Sequence, residues 1–201
     1  AIVSGFFLKA DKGLRGKGAA STLIILVCGA QLFLWNKHYF SRFDAENVGK
    51  FSYGINSFEE SEKIASLLSR GVSEDETVAI LGSEPQILFY ADRLSATGFI
   101  YMYPLMENHP YAKKMQEKCI KEITENRPKK ILFVHTHFSW LKQPESELYL
   151  LQWAERYLRR YYRPVGFVVL KDSESATYLL DPDSLPSSPP GKNWIGIFKR
   201  K

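Results

Sequence analysis

The chain has 201 residues, 45% of them apolar, and a net charge of +5. That length holds one domain, or one domain and an anchor, and that apolar content supplies a core, which excludes a disordered chain. Lys9, Lys12, Arg15 and Lys17 against Asp11 put +3 of the excess before residue 37 and leave +2 on the rest, so a nucleic-acid interface, which needs clustered charge on the domain itself, is not expected.

Residues 2–8, IVSGFFL, are apolar but too short to cross a bilayer, and they read as the end of a preceding helix. With the basic loop that follows, residues 1–17 form a cytoplasmic segment. Residues 18–36, GAASTLIILVCGAQLFLWN, then run without a charge; a crossing needs roughly 17–25 such residues. Trp35 sits at one end, where an amphipathic ring suits the lipid boundary. This predicts one transmembrane helix over 18–36. Four basic residues precede it, whereas Lys37, Arg42 and Lys50 beyond it are mixed with Asp44 and Glu46. That bias puts the N-terminal side in the cytoplasm and the remainder outside. A signal anchor is the alternative; no small-x-small site follows the apolar run, so a cleaved signal peptide fits poorly. Residues 37–56 read as a polar link and 57–201 as an outward-facing domain.

Within that domain, Ser57 and Glu60 have capping-box spacing, which predicts a helix over 58–69 with Ile64, Leu67 and Leu68 inward and Gly71 as its stop. Residues 77–81 read as a buried strand. Ser83 is expected to cap a helix that starts with Pro85 and ends near Ala91. A second strand is expected over 99–103, a helix from Pro110 to about Asn126, and a strand over 130–135. Pro144 is expected to open a helix to about Tyr161. Strands over 165–170 and 177–180 are expected to pair through a polar turn at 172–175. Residues 181–191 are Pro/Ser-rich, and 194–198 suit a last strand at a sheet edge. Alternating strands and helices predict an α/β three-layer sandwich with a mostly parallel sheet, preceded by the transmembrane helix.

Several patterns bear on chemistry. The turn LGSEPQ after a strand suits a ligand crevice, yet it has one glycine, so neither a dinucleotide fingerprint nor a P-loop is present. Glu84 already answers the helix dipole there. His135 and His137 could share one face of an extended segment, but zinc generally wants three or four ligands; His38 and His109 are far off in sequence, and no metal site is expected. Ser83 and Ser139 lie outside any nucleophile-elbow pattern. Cys119 recurs with Met115 and Ile123 at helical spacing and reads as a buried small hydrophobe; with Cys28 in the apolar run, no disulfide is implied. Tyr90, Tyr101, Tyr103 and Tyr111, with Tyr149 later, mix with Arg93, Glu107 and His109. Such mixtures stack sugars and line interfaces, or pack a core through hydrogen-bonded hydroxyls.

The ordered words YGINSFEESEKIA, VAILGSEPQILFYADRLSATGFIYMYPLME, Tyr111-Ala112, Met115-Gln116 and Ser139-Trp140-Leu141 resemble the C-terminal part of bacterial GT-C-type membrane glycosyltransferases. These are enzymes similar to dolichyl-phosphate-mannose protein mannosyltransferases and the lipid A aminoarabinose transferase. The resemblance covers nearly all of residues 51–170. This chain departs at Asn56-Ser57-Phe58, where the family often has Asn-Pro-Phe, and at Arg93-Leu94, where it often has two arginines.

The resemblance implies a non-catalytic extracytoplasmic domain, on the periplasmic face of the bacterial inner membrane, of a transferase that uses a polyprenyl-phosphate sugar. The catalytic carboxylate and the donor site would belong to the N-terminal membrane portion of the same protein, which this chain lacks. No catalytic residue, metal or cofactor is therefore assigned here. Partners implied are the lipid bilayer, that membrane portion and, through it, the sugar donor. Glu84, Arg93, Tyr101, Tyr103 and Glu107 are the candidate binding or docking residues. The rival reading is a membrane-anchored binding or scaffolding module without enzymatic activity.

Overall fold

The computed structural model describes residues 15–37, 58, 60–171, 176–181, 183–186, 189 and 191–201. The apolar residues 2–8, the loop before Arg15, the link after Lys37, the Ser57 cap and the turn at 172–175 lie outside them. The chain divides into two compact units, residues 1–48 and 49–201.

The first unit contains α1, a 21-residue helix over Arg15–Trp35. Leu23, Ile24, Ile25, Leu26 and Val27 are each 55–65% exposed. Five consecutive residues sweep more than a full turn, so the apolar surface encircles the helix instead of forming one stripe. Asn36 closes the C-terminal end, its backbone and side-chain nitrogens both donating to the Leu32 carbonyl, at 3.0 and 2.9 Å. Among the described residues no helix is long and apolar enough to cross a membrane.

The second unit runs α2 (Ser61–Ser69), β1 (Val78–Leu81), α3 (Pro85–Ala91), α4 (Tyr103–Met106), α5 (Ala112–Asn126), β2 (Lys130–His135), α6 (His137–Trp140), α7 (Tyr149–Tyr161), β3 (Tyr162–Val169), β4 (Thr177–Leu179) and β5 (Trp194–Arg200). Its sheet has the order β1-β2-β5-β3-β4. Among the described strands only β1 and β2 pair in parallel; β2–β5, β5–β3 and β3–β4 are antiparallel. The architecture is mixed α/β, and the expected mostly parallel sheet is corrected to a mostly antiparallel one.

The reason lies in β5. This strand is not at an edge but between β2 and β3. Ile195 and Ile197 are buried on one sheet face, while Phe198 packs on the other. A strand that is apolar on both sides belongs in a sheet's interior. Gly196 makes the second face possible. A Cβ there would lie 2.6 Å from the Phe198 ring and 3.1 Å from that of Trp194. Phe133 and Phe167 flank Gly196 on the neighbouring strands, and Trp194 closes against both, with ring centroids 5.8 and 5.7 Å away.

Helices cover both faces of the sheet. On one, Ile64, Leu68 and Ile87 of α2 and α3 pack with Val78, Ile80, Leu132, Val134 and Val168. On the other, Cys119, Ile123, Trp140, Leu150, Ala154 and Tyr157 pack with Ala79, Leu81 and Ile131. The helix α2, expected from residue 58, begins at Ser61 and ends at Ser69, and the chain turns away at Gly71, whose φ is +68°.

Two further expectations change. Residues 99–103 are not a strand. The chain bridges β1 only through Ser95 opposite Val78. Its next amides then turn to side chains: Gly98 N–H to Glu122 at 3.0 Å and Met102 N–H to the Ser83 hydroxyl at 2.8 Å. With these donors taken by side chains, the backbone here does not extend the β1 ladder. The helix expected from Pro144 starts at Tyr149. Residues before it are held in a loop, with Gln143 N–H on the Ser146 hydroxyl and that hydroxyl on the Met106 carbonyl. The Gln116 carboxamide accepts from Leu150 N–H at 2.8 Å, which satisfies a first-turn donor from another helix.

Candidate functional site

The C-terminal ends of β1 and β2 lie side by side in the sheet's parallel pair, the place where open α/β sheets present their ligand loops. Gly82 leaves β1 at φ +148°. A Cβ on it would come 2.7 Å from both Ser139 Oγ and Val134 Cβ, so glycine lets the two loops close on each other. Ser83 N–H then donates to Ser139 Oγ at 2.8 Å and faces the Ser139 carbonyl at 3.1 Å. Ser139 N–H is capped by Thr136 Oγ1 at 3.3 Å. Ser83 therefore does not cap α3; its hydroxyl holds Met102. Both serines are buried, 6% and 1% exposed, and among the described residues no histidine bonds either. They knot the loops together.

Beside this knot the structure brings three of the five candidates together. Glu84 is buried and accepts from Gln86 Nε2 at 2.6 Å. The Tyr101 and Tyr103 rings are 5.9 Å apart, and the Tyr103 hydroxyl donates to the Phe138 carbonyl at 3.0 Å. Burial, then the Glu84 charge, raises the Tyr103 phenol above its ordinary range, so it stays a neutral donor at physiological pH.

Arg93 has a different task. Its guanidinium donates to the carbonyls of Val72 at 3.1 Å and Asp92 at 2.7 Å, and so ties the end of α3 to the turn after α2. Glu107 is exposed just beyond α4, its N–H on the Tyr103 carbonyl at 3.1 Å.

The histidines are likewise dispersed. His109 Nε2 donates to the Pro104 carbonyl at 2.7 Å, and Nδ1 accepts from Tyr111 N–H at 3.1 Å. His135 stacks on Trp194 at 5.0 Å and 4°, and its Nδ1 lies 3.0 Å from the Lys192 carbonyl. That carbonyl can only accept, so Nδ1 carries the proton. Among the described residues no three His, Cys, Asp or Glu side chains group to hold a metal. Cys119 is fully buried and its thiol is pushed up to about 12 by burial.

Next to the serine knot, a cleft of about 310 Å³ opens between the end of β2, α6 and the approach to β5. Its apolar lining is Phe133, Trp140 and Leu151; its polar lining includes His135, His137, Lys142 and Lys192. Trp140 is fixed by its indole N–H on the Val134 carbonyl at 2.7 Å. Sequence reasoning passed over Lys142, Lys192 and Trp194, because no motif joins residues that stand fifty positions apart. No family model, curated protein or solved structure matches the chain.

Proposed function

We propose that this chain is a membrane-tethered, outward-facing domain of a glycosyltransferase that uses a polyprenyl-phosphate sugar, with a docking or acceptor-guiding role and no catalytic residue of its own. One observation carries the membrane part: the exposed run Leu23–Val27 of α1 is apolar around a full turn of the helix. At about 1.5 Å per residue the uncharged part of α1, residues 18–35, extends about 27 Å, against a hydrocarbon core of about 30 Å. A helix without a polar face is either buried in a large core or in lipid. The described side chains alone fall short of a crossing, and the sequence adds the uncharged Ala19 and Ala20 inside the same helix.

The glycosyltransferase part is supported by the ordered words given above. A docking role is supported by a hollow lined by Leu88, Phe89, Arg93 and Leu94, in which Phe89 and Leu94 are 80% and 64% exposed. Large apolar side chains exposed together mark interaction surfaces.

The test has two stages. Cells producing residues 1–201 are fractionated and their membranes washed with alkaline carbonate. Retention in the pellet, with the domain cleaved by protease added outside spheroplasts, is the expected result. Release by carbonate refutes the tether. The parent protein is then assayed for sugar transfer from a polyprenyl-phosphate donor with Tyr103→Phe and Phe89→Ser. A loss of transfer at normal abundance is expected, and unchanged transfer in both removes the docking role.

A further inference from the structure

We infer that the cleft beside α6 binds a phosphorylated sugar. The argument starts from the chemistry of its walls. Phe133, Trp140 and Leu151 offer an apolar, partly aromatic lining, which suits the C–H face of a sugar ring. Lys142, Lys192 and His137 share the same cleft, and among the described residues no carboxylate lines it. Lys142 and Lys192 are exposed and form no ion pair among the described residues, so their charge is available to a ligand. The pair comes from opposite sides, one residue after α6 and the other before β5.

Two ammonium groups match a phosphomonoester, which carries about −1.5 to −2 at neutral pH, better than a single carboxylate. Lysine binds phosphate as a point charge without demanding one fixed geometry. The cleft is also built. Trp140 is locked by Val134, and His135 is clamped between the Trp194 ring and the Lys192 carbonyl. This second clamp fixes the segment that carries Lys192. The volume of about 310 Å³ is at the small end of the range of roughly 300–1,000 Å³ for ligand pockets, fitting one sugar ring and its phosphate and not an oligosaccharide.

This inference deepens the proposed function by naming what the domain would hold. It can fail separately, because the cleft belongs entirely to residues 49–201 while membrane retention is read from α1. The experiment is calorimetry on residues 1–201 in phosphatidylcholine nanodiscs, with glucose 6-phosphate, methyl glucoside and inorganic phosphate as probes. Glucose 6-phosphate is expected to bind more tightly than either half-ligand. The double variant Lys142→Gln, Lys192→Gln is expected to weaken it by roughly two- to thirtyfold, the loss of two exposed charge contacts. Both lysines are on the surface, so the variant retains the fold, which far-UV circular dichroism checks.

Discs that also carry a glycolipid with a hexose phosphomonoester headgroup distinguish the source. If the glycolipid suppresses the titration, the cleft takes a lipid headgroup; if it does not, the cleft takes free sugar phosphate. Absence of binding by the folded chain, equal binding by the double variant, or equally tight inorganic phosphate would overturn the assignment.

Discussion

Replacing Gln116 by leucine tests the packing of the site loops most directly. Gln116 is completely buried. Its amide nitrogen donates to the carbonyls of Leu105 and Glu147, each at 2.7 Å, and its oxygen accepts from Leu150 N–H at 2.8 Å. One side chain on α5 therefore joins α4, the loop before α7 and the first turn of α7. Leucine fills much the same volume but leaves two carbonyls and one N–H without their partner. An unmet buried group costs roughly 1–3 kcal/mol. The Glu147 carbonyl is partly exposed and can take water, and the new methyl groups gain some burial, so a net loss of about 3–5 kcal/mol is expected. Against a total of about 5–15 kcal/mol this is severe. With a urea slope of about 2 kcal/mol per molar, the midpoint falls by about 2 M. The assay is urea unfolding of residues 1–201 in mild detergent, followed by tryptophan fluorescence. Lys121→Ala is the reference. It removes a pair with Glu125 at 3.8 Å in which both side chains are more than half exposed, worth about 0.5 kcal/mol or less. If Gln116→Leu shifts the midpoint no more than Lys121→Ala, the reasoning from its three hydrogen bonds is wrong.

Other outcomes follow from single contacts. Gly82→Ala pushes a methyl group against Ser139 and the β-carbon of Val134, and strand β2 cannot yield; a loss of about 3 kcal/mol or more in thermal unfolding is expected. Lys130 is buried, with Nζ on the Leu67 and Arg70 carbonyls, and burial, then Lys199 and Arg70, lowers its pKa from 10.5 to about 8. Between those two values the unfolded chain binds the extra proton, so the folded state gains as pH rises. The stability of the wild type relative to Lys130→Met should therefore increase from pH 8 to pH 10.5, by up to about 3 kcal/mol; a flat difference in urea midpoints contradicts it. Cys119 should resist iodoacetamide at pH 8 in the folded chain and react once urea unfolds it, because the thiolate is the nucleophile and burial suppresses it; rapid labelling in native conditions would show the helix layer to be open. An arginine at Val27 costs about 2.5–3.5 kcal/mol at the centre of an inserted helix, so Val27→Arg should move residues 1–201 from the carbonate-resistant pellet toward the wash.

Local pattern was enough for much of this protein. The uncharged stretch located α1, which starts three residues earlier at Arg15; the apolar spacing of Ile64 and Leu68 gave α2 its inner face, and the β-branched runs gave β1 and β2 their place. These features depend on neighbours within a few residues, and propensity and periodicity act over that range. Gly71 and Pro85 marked helix ends for the same reason.

Tertiary structure decided the rest, because the deciding partners are distant in sequence. Residues 99–103 have strand-like composition, yet Ser83 and Glu122 take the nearby backbone donors. Residues 194–198 look like an edge strand until Phe133 and Phe167 are seen closing over Gly196 from either side. Among the candidate residues, Tyr101 and Tyr103 are neighbours in the chain, whereas Glu84 reaches them only across α3. Arg93 was indistinguishable in sequence from a ligand-binding arginine, and only the Val72 carbonyl beside it reveals a clamp. Lys142 and Lys192 carry no local signal; the sheet order places them at one cleft. Side-chain chemistry is written residue by residue, but a site is a set of distances, and those distances exist only once the chain has closed.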